Sequence, residues 1–322
     1  MNNSIKPNSF QAWLLAMRPK TLTGAAIPVL LGCALAYIFG KFQPVPALLC
    51  FLFAFLMQTD ANFINDLYDY LKGTDREDRL GPERACAQGW ITPAGMKRGI
   101  AVTTLLACCV GLGLLSYGGW EMIPVGLACV IFAFLYTAGP YPLAYHGWGD
   151  VLVLIFFGFV PVGCTFYVMA HSWNTAVFVV SLACGLIIDT LLMVNNFRDR
   201  EQDAVSGKRT LVVRFGARTG LLLYFLLGMA ACWLCFYFIW LGKNLCGPAS
   251  PALSDTPYSY NTENGTYRKG KSPEPHSGRD LTQHVAFRSA PCSGTDSLNS
   301  SGRSVFFQSI PWRMLRFLPP VR

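Results

Sequence analysis

The chain has 322 residues, 52% of them hydrophobic and only 14% charged, with a formal net charge of +8. A soluble domain of this length carries about a quarter charged residues, so a water-soluble globular fold is excluded. The surplus of Lys and Arg lies between long apolar runs, and no nucleic-acid partner is expected from it.

Seven apolar runs occur in order, over 22–39, 45–57, 99–116, 122–137, 151–170, 176–194 and 221–241. Most approach the roughly 20 residues that a helix needs to cross a bilayer core. The predicted fold is therefore all-α, a polytopic transmembrane helical bundle of about seven spans. Arg18 and Lys20 precede the first run, and no small-residue cleavage pattern follows, so the N-terminus does not read as a cleavable signal. The second run is short. It spans only if its helix continues through Asn62 and Asn65, and polar residues in membrane helices face protein or water.

Basic residues alternate between loops. Lys72, Arg76, Arg79, Arg84, Lys97 and Arg98 follow the second run, and Arg198, Arg200, Lys208, Arg209, Arg214 and Arg218 follow the sixth, while the intervening loops are almost neutral. The positive-inside bias places the N-terminus and both basic loops in the cytoplasm, with membrane lipid around the bundle. Twelve cysteines are scattered mainly through the apolar runs. The Cys232/Cys235 pair has no second ligand pair, so the cysteines read as small buried hydrophobes.

Both basic loops open on a polar helix end. In the first, Asn62, Asn65, Asp66 and Asp69 fall within roughly one 100° arc of a helix. In the second, Asn196, Asp199 and Asp203 share a face at i, i+3 and i+7. Asn62 to Asn195 and Asp66 to Asp199 are each separated by 133 positions, the mark of a diverged internal repeat with two copies facing one site. Clustered carboxylates repel unless cations neutralise them. Mg²⁺ takes a few carboxylate oxygens and leaves positions for water and phosphate oxygens. Two such ends would hold a diphosphate between metals, with Lys72, Arg76, Arg79, Lys208 and Arg209 neutralising the leaving group.

At these residues the sequence resembles the UbiA superfamily of intramembrane aromatic prenyltransferases, whose two signatures match Asn65-Asp66-x-x-Asp69 and Asp199-x-x-x-Asp203. Further stretches, from Arg18-Pro-Lys-Thr-Leu22 to Gly207-Lys208-x-Thr210-Leu211, are similar to the 1,4-dihydroxy-2-naphthoate branch of menaquinone biosynthesis. The resemblance implies a bundle, usually of nine spans, whose cavity opens sideways to lipid. It implies Mg²⁺ as cofactor, polyprenyl diphosphate as donor and 1,4-dihydroxy-2-naphthoate as aromatic acceptor. The acceptor would lose its carboxylate to give demethylmenaquinone. Asn65, Asp66, Asp69, Asp199 and Asp203 would bind metal, and Asn62 and Asn196 would assist at the diphosphate. Asp75 is the nearest candidate for a third acid, which the superfamily places where Gly73 stands. Rival readings are another acceptor (4-hydroxybenzoate or a haem precursor), an ion-coupled transporter, or an inactive truncated product.

Four other residues stand out. Asp189 lies mid-span, one heptad before Asn196, and either orients or deprotonates an acceptor hydroxyl or bonds a neighbouring helix. Tyr136 and Tyr145 flank a Gly/Pro-rich break and either touch the diphosphate or belong to an interfacial aromatic belt. Asp150 suits a helix N-terminus. The domain reading is a transmembrane unit over 1–242. Residues 243–322, rich in Ser, Pro, Gly and Arg, then read as a disordered tail unlike the family, such as a frameshift would produce.

Overall fold

Proline at the first or second position starts three of the long helices, where its missing N–H costs no intrahelical bond. In the computed structural model, residues 5–74, 81–245, 258–261 and 266–269 are described. The helices are α1 (Phe10–Met17), α2 (Pro19–Ile38), α3 (Pro44–Leu71), α4 (Pro93–Gly118) and α5 (Met122–Thr137). They continue as α6 (Gly149–Ala170), α7 (Thr175–Val205), α8 (Leu211–Phe215) and α9 (Ala217–Leu245). A 3₁₀ turn at Leu143–His146 links α5 to α6. Thr92 and Asn174 cap α4 and α7, accepting from Gly95 N at 3.1 Å and Val177 N at 2.9 Å.

All seven predicted runs are helical, and among the described residues six helices are long and apolar enough to cross a membrane. The exception is α5, whose 16 residues reach only about 24 Å. As expected, α3 runs unbroken through Asn62, Asn65 and Asp69. Large apolar side chains such as Leu30, Leu105, Leu112, Leu191 and Phe225 point outward, as they do where lipid replaces water around an integral membrane protein.

Two apolar cores lie toward opposite ends of the bundle. One joins Val29 and Ala36 of α2 to Cys50 of α3, Val162 and Phe166 of α6, and Val177 of α7. The other joins Ala12 and Ala16 of α1 to Phe63, Ile64 and Leu67 of α3, Ala85, Cys86 and Ile91 of the next loop, and Met96 of α4. This second core supports the polar end of α3.

Within α6, residues Leu154–Cys164 widen into π turns. Pro161 has no N–H to donate and disturbs the i→i−4 ladder there. The same stretch crosses α7 through glycines. A Cβ on Gly158 would stand 2.6 Å from the Ser181 carbonyl oxygen and 3.0 Å from Gly185 Cα. Small residues at a crossing let membrane helices approach closely and gain dispersion contact.

The chain divides into units Met1–Ser254 and Asp255–Arg322. Helix α9 passes the expected boundary at 242 and ends at Leu245. In the second unit Tyr258–Asn261 (β1) pairs antiparallel with Thr266–Lys269 (β2), Tyr260 opposite Tyr267. The rest of 246–322 lies outside the described residues.

Gly158→Val should therefore destabilise the detergent-solubilised protein by about 1–3 kcal/mol, lowering its thermal midpoint by several degrees. Gly24→Ala, with nothing within 4 Å of its added Cβ, should leave the midpoint in place. Equal midpoints for the two variants would refute the close-crossing account.

Candidate active site

The two polar helix ends stop in the same way. Gly73 and Gly207 take left-handed φ of 67° and 76°, a conformation that glycine adopts without Cβ strain. The next residue then donates back to an aspartate carbonyl: Thr74 N to Asp69 O at 3.1 Å, and Lys208 N to Asp203 O at 2.8 Å. These matching stops set the repeat at 134 positions rather than 133. Asn62 aligns with Asn196, Asn65 with Asp199, Asp69 with Asp203 and Gly73 with Gly207. Both faces then read i, i+3, i+7. Asp66, expected to pair with Asp199, has Arg200 as its counterpart and performs a different task.

That task is visible in its bonds. Asp66 is 1% exposed. Its two oxygens accept from Ala85 N and Cys86 N, each at 2.8 Å, and an Arg18 guanidinium nitrogen stands 3.9 Å away. The carboxylate thus anchors the loop that leads into α4. Asn62, expected at the diphosphate, is also engaged in structure. Its amide donates to Met17 O and Thr21 Oγ1, both at 2.9 Å, and accepts from Gln58 at 3.3 Å. These bonds secure the α1–α2 joint, where Arg18 turns through a left-handed φ of 53°. Asn65 Oδ1 accepts from the Thr137 hydroxyl at the end of α5.

The remaining three acids each hold a cation. Asp69 accepts from Arg84 at 3.2 Å and from the Tyr145 hydroxyl at 2.9 Å. Asp199 takes two bonds from the neighbouring Arg198, at 2.6 and 2.7 Å. Asp203 pairs with Lys208 at 3.5 Å through one oxygen, while its other oxygen is buried without a hydrogen-bond partner.

Tyr145 brings the two ends together. Its hydroxyl reaches Asp69, its carbonyl accepts from Arg209 N at 2.8 Å, and its ring faces both Lys72 and Lys208 ammoniums, at 4.5 and 5.9 Å. Lys72 also donates to Thr137 O at 2.5 Å. Burial pushes the Lys72 pKa below the usual lysine value, and the Asp69 charge partly opposes this. The Arg209 side chain is exposed.

Deeper in the bundle, Asn196 lines a small cavity with Tyr136, Asp150, Leu192, Lys208 and Thr210. Asp189 is 2% exposed, and both it and Asp150 have an oxygen buried without a hydrogen-bond partner. Tyr136 shares that cavity wall with Asp150. Sequence reasoning overlooked Asp60, a fully buried acid of α3 whose oxygens accept from Thr103 at 2.5 Å and Thr104 at 2.8 Å. Its signal was a carboxylate inside a span-length helix. Asp75, Arg76 and Arg79 lie outside the described residues.

Among the described residues no three His, Cys, Asp or Glu side chains converge closely enough to hold a metal ion. The donor chemistry nevertheless suits a hard cation, since the gathered ligands are carboxylate and amide oxygens. The second Asp203 oxygen, which has no hydrogen-bond donor, is a position such a cation would fill.

The profile described as the UbiA prenyltransferase family matches residues 25–254, and the chain belongs to that family. The 1,4-dihydroxy-2-naphthoate octaprenyltransferase of Escherichia coli (strain K12) is 41% identical over 212 residues, covering 64% of this chain and 69% of that protein. The protein of the same name from Haemophilus influenzae is 36% identical, over 70% of this chain and 76% of its own length. A solved UbiA homolog from Archaeoglobus fulgidus, bound to GPP and Mg²⁺, shares the fold with a TM-score of 0.53 at 18% identity, over 75% of this chain and 92% of that one.

Each charge-assisted bond to Asp66 contributes about 1.5–3 kcal/mol. Asp66→Asn, which leaves one oxygen to serve two amides, should therefore loosen the loop. Trypsin should then cleave after Arg84 at least several-fold faster than in the unaltered protein. Unchanged cleavage would show that the loop is held by its apolar contacts alone.

Proposed function

We infer that the chain transfers a polyprenyl group from polyprenyl diphosphate to 1,4-dihydroxy-2-naphthoate, replacing the acceptor's carboxylate. The supporting observation is the pair of register-matched acidic helix ends drawn together around Tyr145, in a chain whose relatives carry that name. The orientation follows the loop charges: both acidic ends face the cytoplasm from a bacterial cytoplasmic membrane.

Asp69, Asp199 and Asp203 are the residues that would hold Mg²⁺, with Asn65 beside them and Asp66 able to contribute only its remaining lone pairs. Asp75 would join them from the adjoining loop. When bound, the metal supplies positive charge that stabilises the departing diphosphate. Lys72, Lys208 and Arg209 add charge from the two loops, joined by Arg76 and Arg79. The allylic carbon–oxygen bond breaks with both electrons passing to the diphosphate. The acceptor ring then attacks the allylic carbon through the carboxylate-bearing position. Carbon dioxide leaves with its bond electrons remaining in the ring, which gives the prenylated diol, the reduced form of demethylmenaquinone. Asn196 lines the wall between the acidic ends and the deeper polar group. There Tyr136 and Asp189 would meet the acceptor, Asp189 taking a hydroxyl hydrogen bond on its orphaned oxygen. Apolar walls exclude water, which would otherwise capture the allylic cation as an alcohol.

Membranes containing the chain should convert octaprenyl diphosphate and 1,4-dihydroxy-2-naphthoate into the decarboxylated adduct with Mg²⁺ and not after chelation. Asp69→Asn and Asp203→Asn should each lower the rate by about 10²–10³-fold. Product formation that survives complete Mg²⁺ removal would overturn the metal assignment. Prenylation of 4-hydroxybenzoate in place of the naphthoate would overturn the acceptor.

A further inference from the structure

Among the described residues, Asp69, Asp199 and Asp203 are each already held by a basic side chain. Arg84 lies against Asp69, Arg198 chelates Asp199 with two bonds, and Lys208 faces Asp203. The three cations come from different places: the α3–α4 loop, the face of α7 itself, and the loop after α7. What they share is a carboxylate that borders the same site.

We propose that Arg84 and Arg198 are exchanging cations: they hold Asp69 and Asp199 in the unloaded site, and pass to diphosphate oxygens when divalent metal takes the carboxylates. This rests on the diphosphate-transfer reading above. A buried carboxylate stripped of its counter-charge carries a large desolvation penalty, so the acids need a positive partner before substrate arrives. Asp69 and Asp199 are only 15% and 16% exposed, so the need arises at both helix ends. Guanidinium suits the second half of the exchange, because its planar fork matches phosphate as well as carboxylate. Arg84 is also well placed for it. Ala85 and Cys86, the next two residues, are pinned by Asp66, so the backbone stays anchored while the side chain changes partner. The arrangement couples donor to metal. Metal alone must compete with the arginines, whereas metal with diphosphate gives every charge a partner.

The exchange predicts opposite effects on the two ligands, which a merely structural role does not. In purified full-length protein, Mn²⁺ binding would be followed by electron paramagnetic resonance. Inorganic pyrophosphate binding in the presence of Mg²⁺ would be followed by calorimetry. Arg84→Gln should bind Mn²⁺ alone several-fold more tightly, and Mg²⁺-pyrophosphate about tenfold more weakly. Arg198→Gln should behave the same way, and its more exposed side chain makes it the safer variant for folding. Arg84→Lys should recover part of the pyrophosphate affinity. Weakening or no change of Mn²⁺ binding in both Gln variants would overturn the exchange. If the unaltered protein shows no Mg²⁺-dependent pyrophosphate binding, the diphosphate-transfer reading itself fails, an outcome distinct from the first.

Discussion

A carboxylate leaving water must take a positive charge or a set of donors with it, and the half of this bundle that carries the acidic helix ends is arranged around that requirement. Asp66 meets it with two backbone N–H groups, Asp60 with two threonine hydroxyls, and Asp69 and Asp199 with arginines. Apart from the Arg198–Asp199 pair, which lies within α7, these solutions link elements that would otherwise be free to slide. Asp60 joins α3 to α4, Asp66 joins α3 to the loop ahead of α4, and the Asp69–Tyr145 bond joins α3 to the turn between α5 and α6. These acids therefore organise the fold around the two helix ends.

Lipid outside the bundle changes what apolar burial can achieve. Outward leucines and phenylalanines are already in an apolar solvent, so helix pairing relies on close approach and on polar contacts. Gly158 against Gly185, and the asparagine that ties Met17 and Thr21 to α3, are the two kinds of contact in this chain. The apolar core at the polar end, built on Phe63, Ile64 and Leu67, faces away from Asn65 and Asp69 on the same helix. One side of α3 is consequently packed against apolar residues while the other carries the polar contacts to Thr137, Arg84 and Tyr145.

Much of this was legible in advance. Run length alone placed all seven long helices, and continuation of α3 through Asn62 followed from the deficit of apolar residues after Met57. Helical facing grouped Asn65 with Asp69 and Asn196 with Asp199 and Asp203. Side-chain identity puts the repeat at 133 residues, one short of the 134 that the left-handed glycine stops at Gly73 and Gly207 impose on the helix ends. Asn62 was assigned to substrate on facing, yet its amide is engaged with α1 and α2. Facing reports direction and says nothing about what stands opposite.

The linear chain by itself determined that this is a membrane bundle with two acidic helix ends, since span length, charge bias and helical period are local properties. Membership of a prenyltransferase family was equally local, carried by short motifs. The tertiary structure alone decided which acids are held by backbone donors and which by basic side chains. Arg84 lies 15 residues from Asp69, and Tyr145 lies 76 away, so neither pairing is written in any helical period. It depends on how the loops fold back over the helix ends, where each buried charge finds the partner that packing brings within reach.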